Sequence, residues 1–300
     1  HEPYRRQRQM CIRDRSKVFR VYGRCPEEQT LLVQISTIPN IRFLFSQAKR
    51  WFLLRNRTPL NHLEHLGWIK KEALYDNGRN RYRYYMHSVI AAAIRAQFID
   101  DLYDLCQGFI HEITIEMTSS LSQNDATKKE LIQFSWSLND IFHGQFQSEE
   151  DSDFLWALAE IYRDIGYYER ALPLLDSLDT LYCQLYGEGN IKLASVWNSR
   201  GMIQYELSHF PAALDAYQTS RDIYEKNHPA GSYSPSERID LAKLDLNIGK
   251  TYLKIDYTKA GTYFDRAYQT LSGEAEAEQH LKLNALAHKA MLLAHSGQLE

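Results

Sequence analysis

Cysteine is scarce in this 300-residue chain. Only Cys11, Cys25, Cys106 and Cys183 occur, and no two stand in a C-x-x-C spacing. That leaves neither a zinc ribbon nor a disulfide framework, and a reducing, cytoplasmic setting is the expectation. Long apolar runs are missing as well. None is longer than the one from Val89 to Ile94, far below the roughly 20 residues a membrane helix needs, so no membrane role is expected. No secretory leader is visible. A glycine-rich loop is absent where it would matter most. Gly249-Lys250-Thr251 supplies the last half of G-x-x-x-x-G-K-[ST], but Leu244 replaces the first glycine and none lies between Gly231 and Gly249. Leu241, Leu244, Ile248, Tyr252 and Ile255 instead recur at helical steps. Helical N–H groups are bonded to carbonyls four residues back and cannot cradle phosphate. No nucleophile–base pair, metal-ligand spacing or carboxylate dyad stands out, so no enzyme, catalytic residue, metal or cofactor is expected within these residues.

What is present describes a packed chain of uneven charge. Apolar residues make up 44% of the sequence and tyrosine 20 positions, enough for two domains with cores of their own. The net charge of −3 divides sharply. Residues 1–100 carry +11 (19 Lys/Arg against 8 Asp/Glu), and the remainder carries −14 (16 against 30). Two functional parts are expected. The opening "HEPYRRQRQMCIRDR" has five arginines in fifteen residues and resembles translated adapter sequence; residues 1–15 are expected to be a non-native leader and are set apart.

Three segments align with one another. "WALAEIYRDIGYYERALPLLDSL" begins at Trp156, "WNSRGMIQYELSHFPAALDAYQTS" at Trp197 and "LDLNIGKTYLKIDYTKAGTYFDRA" at Leu244. Each puts a small residue inside a first helix (Ala159, Gly201, Gly249). An aromatic opens a second helix (Tyr168, Phe210, Tyr257), and a small residue follows three positions later (Ala171, Ala213, Ala260). The spacing is 42 and then 47 residues, the excess falling in "NHPAGSYSPSE". A fourth copy, with Ala290 at the small position, stops before its second helix. Helix pairs at a fixed period, with small residues where helices cross, predict an α-solenoid. The pattern resembles the tetratricopeptide repeat in the long form of kinesin light chains and bacterial signalling proteins. That resemblance implies a right-handed solenoid binding a protein or peptide along first helices, with Glu160, Arg163, Asn198, Met202, Tyr205, Lys250 and Lys254 facing the groove. The Lys/Asn arrangement that clamps a terminal carboxylate is absent, since Trp156 and Glu160 hold the first-repeat positions.

The front has a different grammar. Helices are predicted in "CPEEQTLLVQIS", "IRFLFSQAKRWF" and "TPLNHLEHLGWI", the last with Thr58 as N-cap, Pro59 at its first position and Gly67 as terminator. "WIKKEALY" and "RNRYRYYM" flank Asp76-Asn77-Gly78, a strong hairpin signal. A closing helix, "HSVIAAAIRAQF", completes a winged-helix pattern, and residues 99–150 hold two further helical runs split by "SSLSQNDAT". "FIDD", from Phe98 to Asp101, mimics the tail of a Walker B strand but belongs to a helical run. The stretch "LNHLEHLGWIKK … YRYYMHSVIAAAIRAQF" resembles the winged-helix domain of STAND-type signalling NTPases of the NB-ARC or NACHT class. In those proteins the domain follows an ATPase core and precedes a sensor array. The resemblance implies a nucleotide-binding domain upstream, ADP or ATP as ligand of the parent protein, and a nucleotide-sensor role for His87. Its Met86-His87-Ser88 departs from the family's Met-His-Asp at the third residue.

The chain is therefore expected to be mainly α. Residues 16–98 form a winged-helix domain, 99–150 a helical bridge, and 151–300 three full repeats plus one truncated. The expected function is that of a regulatory or sensor fragment of a STAND-type NTPase. Two alternatives stand beside it: a tetratricopeptide scaffold without nucleotide linkage, and a winged-helix DNA-binding regulator with a peptide-sensing arm. DNA is not the expected partner, because "TPLNHLEHLG" contains neither Lys nor Arg.

Overall fold

The computed structural model describes residues 42–43, 69–76, 79–86, 91–92, 95–96, 100–120, 125–228, 232–271 and 276–295. The chain divides into two compact units, residues 1–146 and 147–300. The described residues are mainly helical.

In the first unit the hairpin forms where the turn chemistry puts it. Strands β2 (Ile69–Asp76) and β3 (Arg79–Met86) pair antiparallel from Ile69↔Met86 to Asp76↔Arg79, leaving Asn77-Gly78 to connect them. A third strand, β1 (Arg42–Phe43), pairs with β3 through Arg42↔Arg83 and Phe43↔Tyr82, giving the order β1-β3-β2. This corrects the expectation of a helix over "IRFLFSQAKRWF" at its start. Helix propensity there yields to the backbone donors and acceptors on the open edge of β3, which an extended partner satisfies. The helix predicted at residues 25–36 lies outside the described residues, as does the one predicted at 58–69 except for Ile69, which opens β2. Within the closing helix, residues 91–92 and 95–96 are helical. Helices α1 (Leu102–Ser120) and α2 (Asp125–Phe142) pack together. Cys106, Phe109, Ile113 and Met117, at three- and four-residue steps, are buried from α1, and Leu131, Ser135, Leu138 and Phe142 from α2. The Tyr103 ring meets Phe142 edge-on at 5.6 Å, and the Ser135 hydroxyl donates to the Leu131 carbonyl at 2.9 Å.

The second unit is a run of helix pairs: α3 (Glu149–Asp164) with α4 (Tyr168–Tyr186), α5 (Lys192–Glu206) with α6 (Phe210–Asn227), α7 (Pro235–Tyr252) with α8 (Tyr257–Thr270), then α9 (Glu276–His295). Their starts follow from sequence. Ser148 and Asp151 form a capping box at α3, and Ser234 and Glu237 form another at α7 with Pro235 at the first position. Two first helices end alike. The N–H groups of Gly166 and Tyr167 donate to the carbonyls of Arg163 and Tyr162, and those of Ser208 and His209 donate to Tyr205 and Gln204. Both closures need a left-handed residue, supplied by Gly166 (φ 82°) and, against its preference, by Ser208 (φ 62°).

The small residues sit at the crossings. Ala159, Gly201 and Gly249 are buried in first helices, and Ala171, Ala213 and Ala260 in second helices. A Cβ at Gly249 would stand 2.5 Å from Cε1 of Phe264, and one at Gly201 would collide with the Tyr217 ring. Where the crossing is Ala159 instead, Leu175 takes the position four after the second-helix alanine that Tyr217 and Phe264 hold in the later pairs. Leu175 is buried as well. Gly249-Lys250-Thr251 is thus a helical crossing: the Thr251 hydroxyl donates to the Asn247 carbonyl at 2.8 Å.

Candidate functional site

First helices of successive pairs touch one another, α5 against α7 and α7 against α9. Between them lie two hollows. The first, of about 280 Å³, is lined by Glu160 and Arg163 of α3, Asn198 and Met202 of α5, and Asp240 and Lys243 of α7, among others. The second, of about 240 Å³, is lined by Tyr205, Lys250, Lys254, Tyr257, His288 and Met291, with Leu253 and Leu292. Of the seven groove residues assigned from sequence, Glu160, Arg163, Asn198 and Met202 meet in the first hollow, and Tyr205, Lys250 and Lys254 in the second.

The first hollow is built around a charge that is already neutralised. Arg163 donates through Nη1 to Glu160 at 2.8 Å and to the Ser199 hydroxyl at 3.2 Å, and Ser199 donates to Glu160 at 2.9 Å. Burial pushes the Glu160 carboxyl above the usual range, opposed by the Arg163 charge and the Ser199 hydroxyl. Asn198 accepts from Asn247 at 3.2 Å, and Lys243 stands 3.3 Å from Asp240. Ser199 and Asn247 escaped the sequence reading. Ser199 stands between Asn198 and Arg200, two residues before Gly201, and Asn247 lies between the stripe positions Leu244 and Ile248; neither position carries a signal of its own.

The second hollow differs in charge. Among its lining residues no Asp or Glu occurs, and among the described residues neither Lys250 nor Lys254 makes an ion pair. The His288 ring lies tilted against Phe264 at 5.1 Å, and its Nδ1 lies 2.8 Å from the Asn284 carbonyl, so Nδ1 carries the proton. His87, the residue assigned to nucleotide sensing, lies outside the described residues, as does residue 88; Met86 ends β3. No group of three His, Cys, Asp or Glu among the described residues is arranged to hold a metal ion. No described helix is long and apolar enough to cross a membrane.

With these elements in place the chain can be set beside known proteins. A putative kinesin light chain from Podosopora anserina with nearly identical TPR-like repeats is similar over 64% of this chain and 89% of its own, at 11% identity and a TM-score of 0.50. The repeats have a TPR-like fold. BtubC (BKLC) from P. vanneervenii is 20% identical over 61% of this chain and 77% of its own, with a TM-score of 0.46. A Signal Transduction ATPase with Numerous Domains with a tetratricopeptide repeat sensor, from Pyrococcus horikoshii, aligns over 93% of this chain and 49% of its own, at 14% identity and a TM-score of 0.28. No family model matches the chain, and no curated protein matches it.

Proposed function

We propose that this chain is a partner-sensing module, not a catalyst. Its repeats take a protein or peptide segment in the hollows along the first helices. The observation that carries this reading is that side chains from successive first helices converge on two adjoining hollows in a TPR-like fold. Stacked helix pairs offer extended surfaces of this kind for a partner chain. In the finer form of the proposal, the hairpin-bearing front couples that binding event to a nucleotide-binding core of the STAND type, in a cytoplasmic setting. Support for the coupling is the sequence resemblance around "YRYYMHSVI" and the order of hairpin first, repeats second.

Two measurements test this in its parts. Peptides selected by display against the chain should shift amide resonances of α5 and α7, and Met202→Glu should weaken them. Shifts confined to the second helices would sink the groove assignment. In a parent protein that carries the nucleotide core, a charge-assisted bond from His87 to ADP would be worth about 1.5–3 kcal/mol. His87→Ala should then speed ADP release roughly ten- to a hundredfold. Equal rates would leave His87 without a sensor role.

A further inference from the structure

We propose that α9 pairs with α9 of a second copy of this chain, through an apolar stripe on the face it turns away from α7 and α8.

The stripe follows from the helix itself. Ala285 is buried in the cluster that joins α7, α8 and α9, with Leu281 and Leu292 packed against it. The opposite side is apolar too. Leu283, Leu286, Ala287, Ala290, Leu293 and Ala294 recur at helical steps, and all six are exposed, Leu283 by 67%. The cations at its margin are drawn toward α8. Lys282 lies over the Tyr268 ring at 5.0 Å, and Lys289 reaches Asp265 at 2.5 Å. None of the six lines either hollow, so the stripe is a surface apart from the groove.

The same face is an interface one repeat earlier. Laying Ala290 on Gly249 puts Leu283, Ala287 and Ala294 on Ala242, Leu246 and Leu253. In α7 that face receives α8. The Phe264 ring closes over Gly249, and Ala242 and Leu246 share a buried cluster with Ala260, Phe264, Ala267 and Leu271. On α9 the corresponding face stands exposed.

A second α9 supplies the complement, because large and small residues of the stripe match when one helix is reversed. Laid antiparallel about residue 288, Leu286 of each copy meets Ala290 of the other, and Leu283 of each meets Leu293. Such mutual pairing is what a two-fold interface requires. Antiparallel helices also set opposite dipole ends side by side. The contact spans about three turns, roughly 17 Å, and buries less than the ~1,200 Å² at which stable interfaces begin. The dimer is therefore weak, with a Kd on the order of 10–100 μM.

Sedimentation equilibrium of the whole chain from about 1 to 300 μM should show this monomer–dimer equilibrium. Leu283→Glu and Leu293→Lys change exposed positions, and melting curves verify that both variants fold. Each alone should weaken the dimer by about tenfold or more, because a charge is buried against leucine at both ends. Mixed in equal parts they should restore it. The mixed dimer sets the new carboxylate opposite the new ammonium at one end and keeps two leucines at the other. Lys250→Gln, in the groove, should leave self-association unchanged. A wild-type chain that stays monomeric at the highest concentration overturns the proposal and leaves the stripe to a different partner. A dimer that survives both substitutions overturns it as well, and so does a mixture no tighter than its parts.

Discussion

At the scale of single residues the two helix-crossing glycines and one turn serine carry opposite requirements. Gly249 must lack a Cβ because Phe264, itself buried, occupies the place where one would stand, 2.5 Å away. Gly249→Ala should therefore lower stability by about 1–3 kcal/mol in urea titration, the usual cost of overpacking. Ser208 is the reverse case. It holds φ 62° at the turn where the preceding repeat uses Gly166, a conformation that costs an L-residue roughly 1–2 kcal/mol. Ser208→Gly should recover part of that, about 0.5–1 kcal/mol after the added freedom of the unfolded chain is set against it. Equal and small effects for the two variants would show that neither position is sterically defined. The small residues themselves were legible, because their spacing repeats. Their partners were not: nothing in the local pattern says that Tyr217 and Phe264, rather than a neighbouring aromatic, close against the glycines.

At the scale of elements the junctions between repeats are held by ion pairs spaced 24 residues apart: Arg200 with Asp176, Arg221 with Asp245, and Lys289 with Asp265. The outer two occupy matching positions, five after the second-helix alanine and one before the first-helix small residue. The middle junction follows the longer 47-residue spacing and uses a pair about one turn away, where Asp245 is fully buried. Its signal was in the sequence, an acid on the stripe that includes Leu241 and Ile248, but only the packing shows which cation meets it. Arg221→Met should cost about 3–5 kcal/mol at pH 7.5, because it strands a buried carboxylate, whereas Asp176→Asn, more than half exposed, should change stability by about 1 kcal/mol or less. Burial pushes the Asp245 carboxyl up from 3.8 to about 6, against the pull of Arg221 and Arg266. The folded state therefore holds that proton more tightly than the unfolded chain. Its contribution to stability is full below about pH 4 and is lost as pH climbs through about 6. Glu149, Glu237 and Asp256, whose carboxyls are held low by hydrogen bonds, act in the opposite sense and weaken the fold only in more acidic solution. The Tm should thus rise from pH 7 to pH 5, and Asp245→Asn should flatten that rise; an unchanged slope would remove Asp245 as its source. The misread element at this scale is β1, where pairing with an open strand edge outweighs local helical preference.

At the scale of the whole chain, repeat periodicity carried most of what could be read. Copies in register fix helix order, the crossing residues of the first three pairs and the set of first-helix side chains, and those side chains line the hollows, whereas Ala290, the small position of the fourth copy, is exposed. What the sequence could not separate was paired from unpaired charge. Glu160 and Arg163 look like any other groove residues until Ser199 is seen to bind both, and Lys250 and Lys254 differ from them only in that no Asp or Glu is among the residues lining their hollow. The same distinction governs the basic front. Its +11 is a count, with five of the arginines in the first fifteen residues, and a count of charge attracts any polyanion without reading its bases. "TPLNHLEHLG", the segment a winged helix would place in the major groove, offers no Arg or Lys for a guanine edge. The whole chain should therefore bind duplex DNA without sequence preference, and weakly. Between 50 and 200 mM salt the affinity should fall by on the order of a thousandfold, as counterion release dictates when several phosphates are contacted. Gel-shift titrations against random and selected duplexes at both salt concentrations decide the matter. A duplex that is preferred over random sequence and stays bound at 150 mM salt would make the front a DNA-binding domain and the repeats its peptide-responsive arm.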